Sequence, residues 1–303
     1  MAPILSSRST ALQAVRGIDL TGKTAVITGG NSGLGIETAR ALAHAGARVI
    51  LTSRKVEAGQ KVARQLQSSG VKGHLEVSQL DLADLSSVHQ LAKQLNSEPS
   101  IDLLFLNAGV MACPQGYTKN GFEMQIGTNH FGHFELTHLL MDKFRQQGTP
   151  VRVIAVSSSA HQMDGLDLED LHFRHRKYGT WKAYGQSKLC NILFAKELAR
   201  RTKGTNVEAF ALHPGIILTG LWQHTPMLKP FLKLAGCFFA KTPAQGAATA
   251  VYAATAPELS GQSGAYLQDC TVAKPSAKAQ DAELATKLWA VTEAQLAEAR
   301  TKL

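Results

Sequence analysis

Cysteine is scarce: four in 303 residues, at Cys113, Cys190, Cys237 and Cys270. They are widely spaced and form no C-x-x-C pair, which points away from a disulfide framework and from a thiolate zinc site. The thiols read as reduced, in an intracellular compartment. Long apolar runs are missing too. The longest uncharged stretch, Ala209–Leu228, is interrupted by Pro214, Pro226 and several polar residues. Nothing approaches the roughly 18 to 20 apolar residues of a membrane span. Acid is under-represented, with 23 Asp and Glu against 32 Lys and Arg, a formal net charge of +9. That excess favours an anionic partner: a phosphorylated cofactor, an acidic membrane surface or nucleic acid. What remains is an ordinary globular composition, 44% hydrophobic and 18% charged, which excludes disorder as the main state.

Residues 1–17 carry Arg8 and Arg16 and no acid, a composition compatible with a short transit peptide. The plainer reading is a lead-in segment with a helix over Ser9–Val15. From Lys23 onward, strand-like and helix-like segments alternate. Thr24–Thr28, Ala47–Ser53, Leu75–Leu80, Ile101–Leu106, Val151–Val156, Val207–Leu212 and Ala265–Leu267 read as short apolar strands. Leu34–Ala45, Val56–Gln67, Leu85–Leu95, Phe122–Gln146, Trp181–Arg201, Pro243–Ala254 and a last segment from Ala277 to Arg300 read as helices. Such alternation predicts βαβ units and a parallel sheet covered on both faces. The expectation is an α/β chain: one doubly wound sheet of about seven strands in a single domain over residues 18–303.

TGGNSGLG (Thr28–Gly35) follows a strand and opens a helix. In that context Gly29, Gly33 and Gly35 permit a tight turn, close backbone approach to a pyrophosphate, and close helix–strand packing. Asn31, Ser32 and Leu34 sit within the same loop as candidate cofactor contacts, and the helix N-terminus offers partial positive charge to phosphates. An NAD site of this kind needs an acid at the end of the second strand. Here that strand ends Thr52-Ser53-Arg54. Arg54 has a planar fork suited to a 2′-phosphate, and Ser53 adds a hydroxyl donor. NADP(H) is the expected cofactor.

Tyr184 and Lys188 stand four apart in a helical segment and project from one face. A free phenol, with a pKa of about 10, is a poor base at neutral pH, and a neighbouring ammonium favours its ionised form. Ser158 ends an apolar strand, above the crevice of a parallel sheet, where its hydroxyl can hold a substrate oxygen. Asn107-Ala108-Gly109 ends another strand and lets backbone approach the cofactor. His213-Pro214-Gly215 ends a third, with Thr219 near enough to bond a carboxamide.

Taken in order, TGGNSGLG, Asn107-Ala108-Gly109, Asn129, Ser158, Tyr184-Gly185-Gln186-Ser187-Lys188 and Pro214-Gly215 resemble the short-chain dehydrogenase/reductase superfamily over roughly residues 18 to 290. Gly121–Thr137, Arg152–His161 and Ala183–Arg201 look like its retinol dehydrogenase branch. RSTALQAVRGIDLTGK, QGAATAVYAA and Leu288-Trp289 are similar to the dehydrogenase domain of WW-domain-containing oxidoreductases and to the translocon-linked reductase of chloroplasts. The resemblance implies that Asn129 holds a water passing protons between Lys188 and bulk solvent. It also implies that Asp81 and Leu82 contact the adenine end of the cofactor; Asp81 reads equally as a cap for the following helix. The choice of Ser158 over Ser157 and Ser159 rests on the family motif. Family members pair through helices matching Phe122–Gln146 and Trp181–Arg201, which makes a homodimer an expectation.

HFRHRKY (His172–Tyr178) is basic and aromatic, yet reads as a solvated loop rather than a nucleic-acid stripe. His161, His172 and His175 lack metal-ligand spacing with a matching acid, so no metal is expected. Pro226–Pro243 is apolar with three lysines and reads as a substrate lid, with peripheral membrane contact as the alternative. The expectation is a soluble intracellular oxidoreductase, of the cytoplasm or alternatively a plastid. It would interconvert an apolar alcohol and its carbonyl compound using NADP(H). The rival is an NADP(H)-binding redox sensor within a larger complex.

Overall fold

The computed structural model describes residues 5–163, 166–217 and 240–303. Thr219 and most of the expected lid, residues 226–239, lie outside them. The lead-in helix forms as α1 (Ala11–Ala14), started by a Thr10–Gln13 capping box and packed inward through Ala11 and Val15. Then follow β1 (Thr24–Ile27), α2 (Gly33–His44), β2 (Arg48–Ser53), α3 (Val56–Ser68), β3 (Leu75–Gln79), α4 (Leu85–Asn96) and β4 (Leu103–Leu106). The expected helix over Phe122–Gln146 resolves into α5 (Met124–Ile126), a π turn at Gly127–Phe131 and α6 (Gly132–Gln146). After β5 (Val151–Val156), α7 (Thr180–Arg201) and β6 (Val207–His213) come α8 (Pro243–Gly246), α9 (Ala248–Thr255), β7 (Tyr266–Gln268), β8 (Thr271–Ala273), α10 (Ala277–Gln280) and α11 (Ala282–Arg300). The single last helix expected from Ala277 is broken at Asp281, whose carboxylate caps α11 by accepting from Leu284 N at 2.9 Å.

The sheet has the order β3-β2-β1-β4-β5-β6-β7-β8. Seven strands run parallel, and β8 pairs antiparallel with β7. This eighth strand escaped the sequence reading because its turn is Asp269-Cys270, both at positive φ (54° and 57°). That is the geometry of a two-residue hairpin turn without the usual Asn-Gly signal. Strand residues alternate between two cores, as a sheet covered on both faces requires. Val26, Ile50, Leu104 and Val153 join a core with α4, α6, α7 and α11. Ala25, Ile27, Leu51 and Phe105 join the other, with α1, α2 and α9.

Helix α11 lies over α6 and α7. Trp289 stacks on Phe194 (5.8 Å, 2°) and tilts on Phe134 (4.5 Å), with Arg201 over its ring at 4.6 Å. Arg300 grips the fully buried Glu135 of α6 at 2.5 and 2.8 Å, and His89 of α4 reaches the same carboxylate at 2.7 Å. Burial alone would raise the Glu135 pKa, but the Arg300 guanidinium, with a hydrogen bond to His89, holds it below the usual carboxylate range. A charge this deep is tolerable only when paired, so it fixes where α11 must sit.

The loop at His172–Tyr178 corrects the solvated reading. His172 and Phe173 are buried, and Asp170 accepts from the backbone N–H groups of Arg174, His175 and Arg176 at 2.7–3.1 Å. Only Arg174, His175 and Lys177 of that run face solvent.

Five histidines among the described residues are buried: His130, His133, His161, His172 and His213. Desolvation lowers the pKa of each, pushing His130 and His133 down to about 3 and His213 to about 4. In the unfolded chain they bind protons near pH 6.5. Acid therefore favours unfolding, and stability should fall as pH drops from about 7 toward 4. Denaturant midpoints across that range check this. A midpoint unchanged down to about pH 4 would contradict it.

Candidate active site

A doubly wound sheet opens a crevice beyond the carboxyl ends of its strands, where the strand order reverses. In this chain the reversal falls between β1 and β4. A cleft of roughly 510 Å³ lies there, and its lining includes Leu34, Asn107, Gly109, Ser158, Tyr184, Lys188, Pro214 and Gly215. Residues read from five separated stretches of sequence thus meet at one place. Val110, Met111, Val156, Met163, Trp181 and Ile216 add apolar wall, and Met163 and Ile216 are about half exposed (43% and 48%).

The glycine loop has the shape of a phosphate cradle. Gly29 and Gly33 take φ of 65° and 51°, open to glycine at no steric cost. A Cβ on Gly35 would stand 2.4 Å from the Gly29 carbonyl oxygen, so the loop closes on its helix only because that side chain is absent. Ser32 precedes α2 and makes no side-chain cap bond, and the first turn holds no acid. The helix terminus is thus left to an outside anion. Thr28, given no role of its own in the sequence reading, ties this loop to the next: Asn107 N and Ala108 N donate to its hydroxyl at 2.8 and 2.9 Å, and Asn107 Nδ2 donates to its carbonyl at 2.8 Å.

At the end of β2, Arg54 is exposed and makes no hydrogen bond or ion pair among the described residues. Ser53 corrects the expectation of a free donor: its buried hydroxyl donates to the Lys55 carbonyl at 2.8 Å. Asp81 is not the cap of α4. That cap is Asp84, which accepts from Ser86 N at 2.9 Å, while Asp81 turns back on Ala83 N at 2.9 Å. Leu82 buries its side chain in the core, its carbonyl close under Gly132.

Tyr184 and Lys188 are almost wholly buried, at 4% exposure each. The Lys188 ammonium donates to the Val156 carbonyl at the end of β5 (3.0 Å) and stands 5.6 Å from the Tyr184 ring centroid. Ser157 is committed elsewhere, donating to the Lys188 carbonyl at 2.6 Å. Ser158 keeps its hydroxyl in the cleft, accepting from Ala160 N at 3.2 Å. Ser187 Oγ donates to the Tyr184 carbonyl at 2.8 Å and accepts from Asn129 Nδ2 at 2.9 Å. Asn129 spends its side chain here: its amide also donates to Val110 O (3.0 Å), and its Oδ1 accepts from Val110 N (2.9 Å).

The protonation balance departs from the sequence argument. Desolvation pushes Tyr184 up to about 12, against a hydrogen bond from Ser158 that lowers it. Burial also pulls Lys188 down to about 8. The spacing of four places both groups on one face, but burial, not their mutual attraction, dominates each in the free protein.

The family model for short chain dehydrogenases matches residues 23–227. Retinol dehydrogenase 14 of Mus musculus is 43% identical over 286 residues, covering 90% of this chain and 85% of that protein. Retinol dehydrogenase 11 of Homo sapiens is 43% identical over 276 residues, covering 91% and 86%. Among solved structures, an uncharacterized protein from Mycobacterium paratuberculosis has a TM-score of 0.75 at 38% identity, covering 93% of this chain and 96% of that one. The RhlG/NADP active-site complex of Pseudomonas aeruginosa shares the fold, with a TM-score of 0.66 at 24% identity over 82% of this chain and 95% of that one. A crevice lined by serine, tyrosine and lysine at the strand ends and a chain alike over nine-tenths of its length agree: this protein is an oxidoreductase of the short-chain dehydrogenase/reductase superfamily, in its retinol dehydrogenase-like branch.

Proposed function

We propose that the chain interconverts an apolar alcohol and its aldehyde or ketone with NADP(H), using Tyr184 as general acid and base. One observation carries this reading: Ser158, Tyr184 and Lys188 share a single cleft with the uncapped start of α2. The loop Gly29–Gly35 and the turn Asn107–Gly109 would hold the pyrophosphate and nicotinamide ribose, and Pro214 and Gly215 would flank the nicotinamide. The cofactor supplies a hydride in reduction and accepts one in oxidation. Everything else falls to this chain's residues. In reduction, Ser158 steadies the substrate oxygen and Tyr184 gives it a proton. Lys188, anchored on Val156 O, stabilises the phenolate left behind. With its side chain already spent, Asn129 serves the proton path through its main-chain carbonyl. The apolar walls suit a long hydrocarbon, and relatives named retinol dehydrogenases make long apolar alcohols and aldehydes the first compounds to offer.

Tyr184→Phe should keep NADPH affinity while single-turnover NADPH oxidation with an accepted aldehyde slows about 10²- to 10⁴-fold. Most of the rate surviving would remove Tyr184 from its role. Binding without turnover in the wild type would favour the sensor.

Cofactor choice rests on Arg54, which is exposed at the end of β2 and faces no competing acid there. A charge-assisted hydrogen bond contributes roughly 1.5 to 3 kcal/mol, or about 10- to 150-fold. Isothermal titration should show NADPH binding at least about tenfold tighter than NADH. The double change Ser53→Asp with Arg54→Ile should reverse the order. Equal affinities in the wild type would leave Arg54 a plain surface residue.

A further inference from the structure

Histidine 133, on the first turn of α6, is buried at 2% exposure. Its ring has two partners of different kinds. Nδ1 lies 3.0 Å from the main-chain oxygen of Asn129, one turn earlier. Nε2 lies 2.8 Å from the Thr28 hydroxyl, 105 residues away in sequence. A carbonyl oxygen only accepts, so Nδ1 must carry the proton. Desolvation keeps the ring neutral, so Nε2 is a bare lone pair and the Thr28 hydroxyl must donate to it. With that proton given away, both lone pairs of Thr28 Oγ1 face outward, where Asn107 N and Ala108 N meet them at 2.8 and 2.9 Å. The direction of every bond is thereby set from the turn Asn107–Gly109, through Thr28 and the imidazole, to the Asn129 carbonyl. That carbonyl belongs to a residue packed beside the lysine: a Cβ on Gly109 would stand 2.9 Å from Asn129 Oδ1 and 3.6 Å from Lys188 Nζ.

We infer that His133 is a positioning residue for the reaction, a single-tautomer strut that orients the Asn129 carbonyl with one nitrogen and the cofactor-side turn with the other. The inference rests on the NADP(H) reading proposed above. The two halves of the strut can be cut separately in the full chain. In His133→Asn, the side-chain amide stands near the Nδ1 position, keeps a donor for the Asn129 carbonyl, and no longer reaches Thr28. In His133→Gln, the side chain reaches toward Nε2, keeps an acceptor for Thr28, and leaves the carbonyl unheld.

Two readouts separate the halves: NADPH affinity by isothermal titration, and kcat at saturating NADPH with a long apolar aldehyde. His133→Asn should weaken NADPH binding about fivefold or more, since Thr28 can only turn partly to Phe105 O at 3.1 Å, and should leave kcat within about twofold. His133→Gln should do the reverse, with kcat down about tenfold and affinity nearly unchanged. A double-mutant cycle guards against general damage: Thr28→Val should cost less NADPH affinity in the His133→Asn background than in the wild type. Equal proportional losses of affinity and kcat in both variants, or independent Thr28 and His133 effects, would overturn the strut. A wild type that binds NADPH but reduces no carbonyl compound would sink the proposed activity alone, because the cycle on NADPH affinity still reads the strut. A wild type without NADPH affinity would overturn both.

Discussion

A lysine ammonium with no carboxylate partner among the described residues sits under the floor of the cleft, and the surrounding structure is arranged to keep it there. Placing a charge out of water is expensive, and the cost shows in Lys188, held near 8 by burial. What makes the burial tolerable is the backbone. The Val156 carbonyl accepts from Lys188 Nζ and from Asn191 Nδ2, each at 3.0 Å, and Ser157 bonds the lysine's own carbonyl. These three contacts join α7 to the end of β5, so the position of Lys188 is set by the sheet and not by a loop. Tyr184, one turn earlier on α7, is buried by the same packing and pushed the other way, to about 12. Desolvation thus drives the two pKa values apart, and the free protein holds both groups in their ordinary protonation states at neutral pH.

The rest of the fold keeps this arrangement rigid. Helices α6 and α7 are sandwiched between the sheet and α11, whose Trp289 packs against both. Their outer faces, through which a homodimer was expected, carry this chain's own last helix, so any such pairing would have to form on what α11 leaves open. The π turn at Gly127–Phe131 offsets the helix register just where Asn129 must reach Val110, Ser187 and His133, a common place for such a turn to mark a functional site.

Much of this was legible in the chain because two signals repeat. Short apolar runs separated by helical segments announce a parallel sheet, and the glycine loop, Tyr184 and Lys188 announce where its crevice does chemistry. What the sequence hid are features decided by three-dimensional meeting. Thr28 and His133 are residue types common in any core; their importance lies in a contact across 105 positions. Asp81 and Asp84 both precede α4, and only the backbone path selects Asp84 as its cap. The Tyr184–Lys188 spacing shows a shared face but not depth, so the burial that raises the phenol's pKa in the free protein was not legible in it. Ser53 looked like a free donor because nothing in the sequence reveals that its hydroxyl turns back onto Lys55.

Burial holds Tyr184 protonated in the free protein, and on the NADP(H) reading proposed above the positive charge of the nicotinamide releases its proton. Ultraviolet difference titration of the phenol, with Tyr184→Phe as the blank, measures this directly with and without NADP⁺. The free protein should titrate Tyr184 near about 12, well above an ordinary phenol at about 10, and NADP⁺ should bring it down toward neutrality. A phenolate forming near neutral pH without cofactor, or a titration that NADP⁺ does not move, would contradict it.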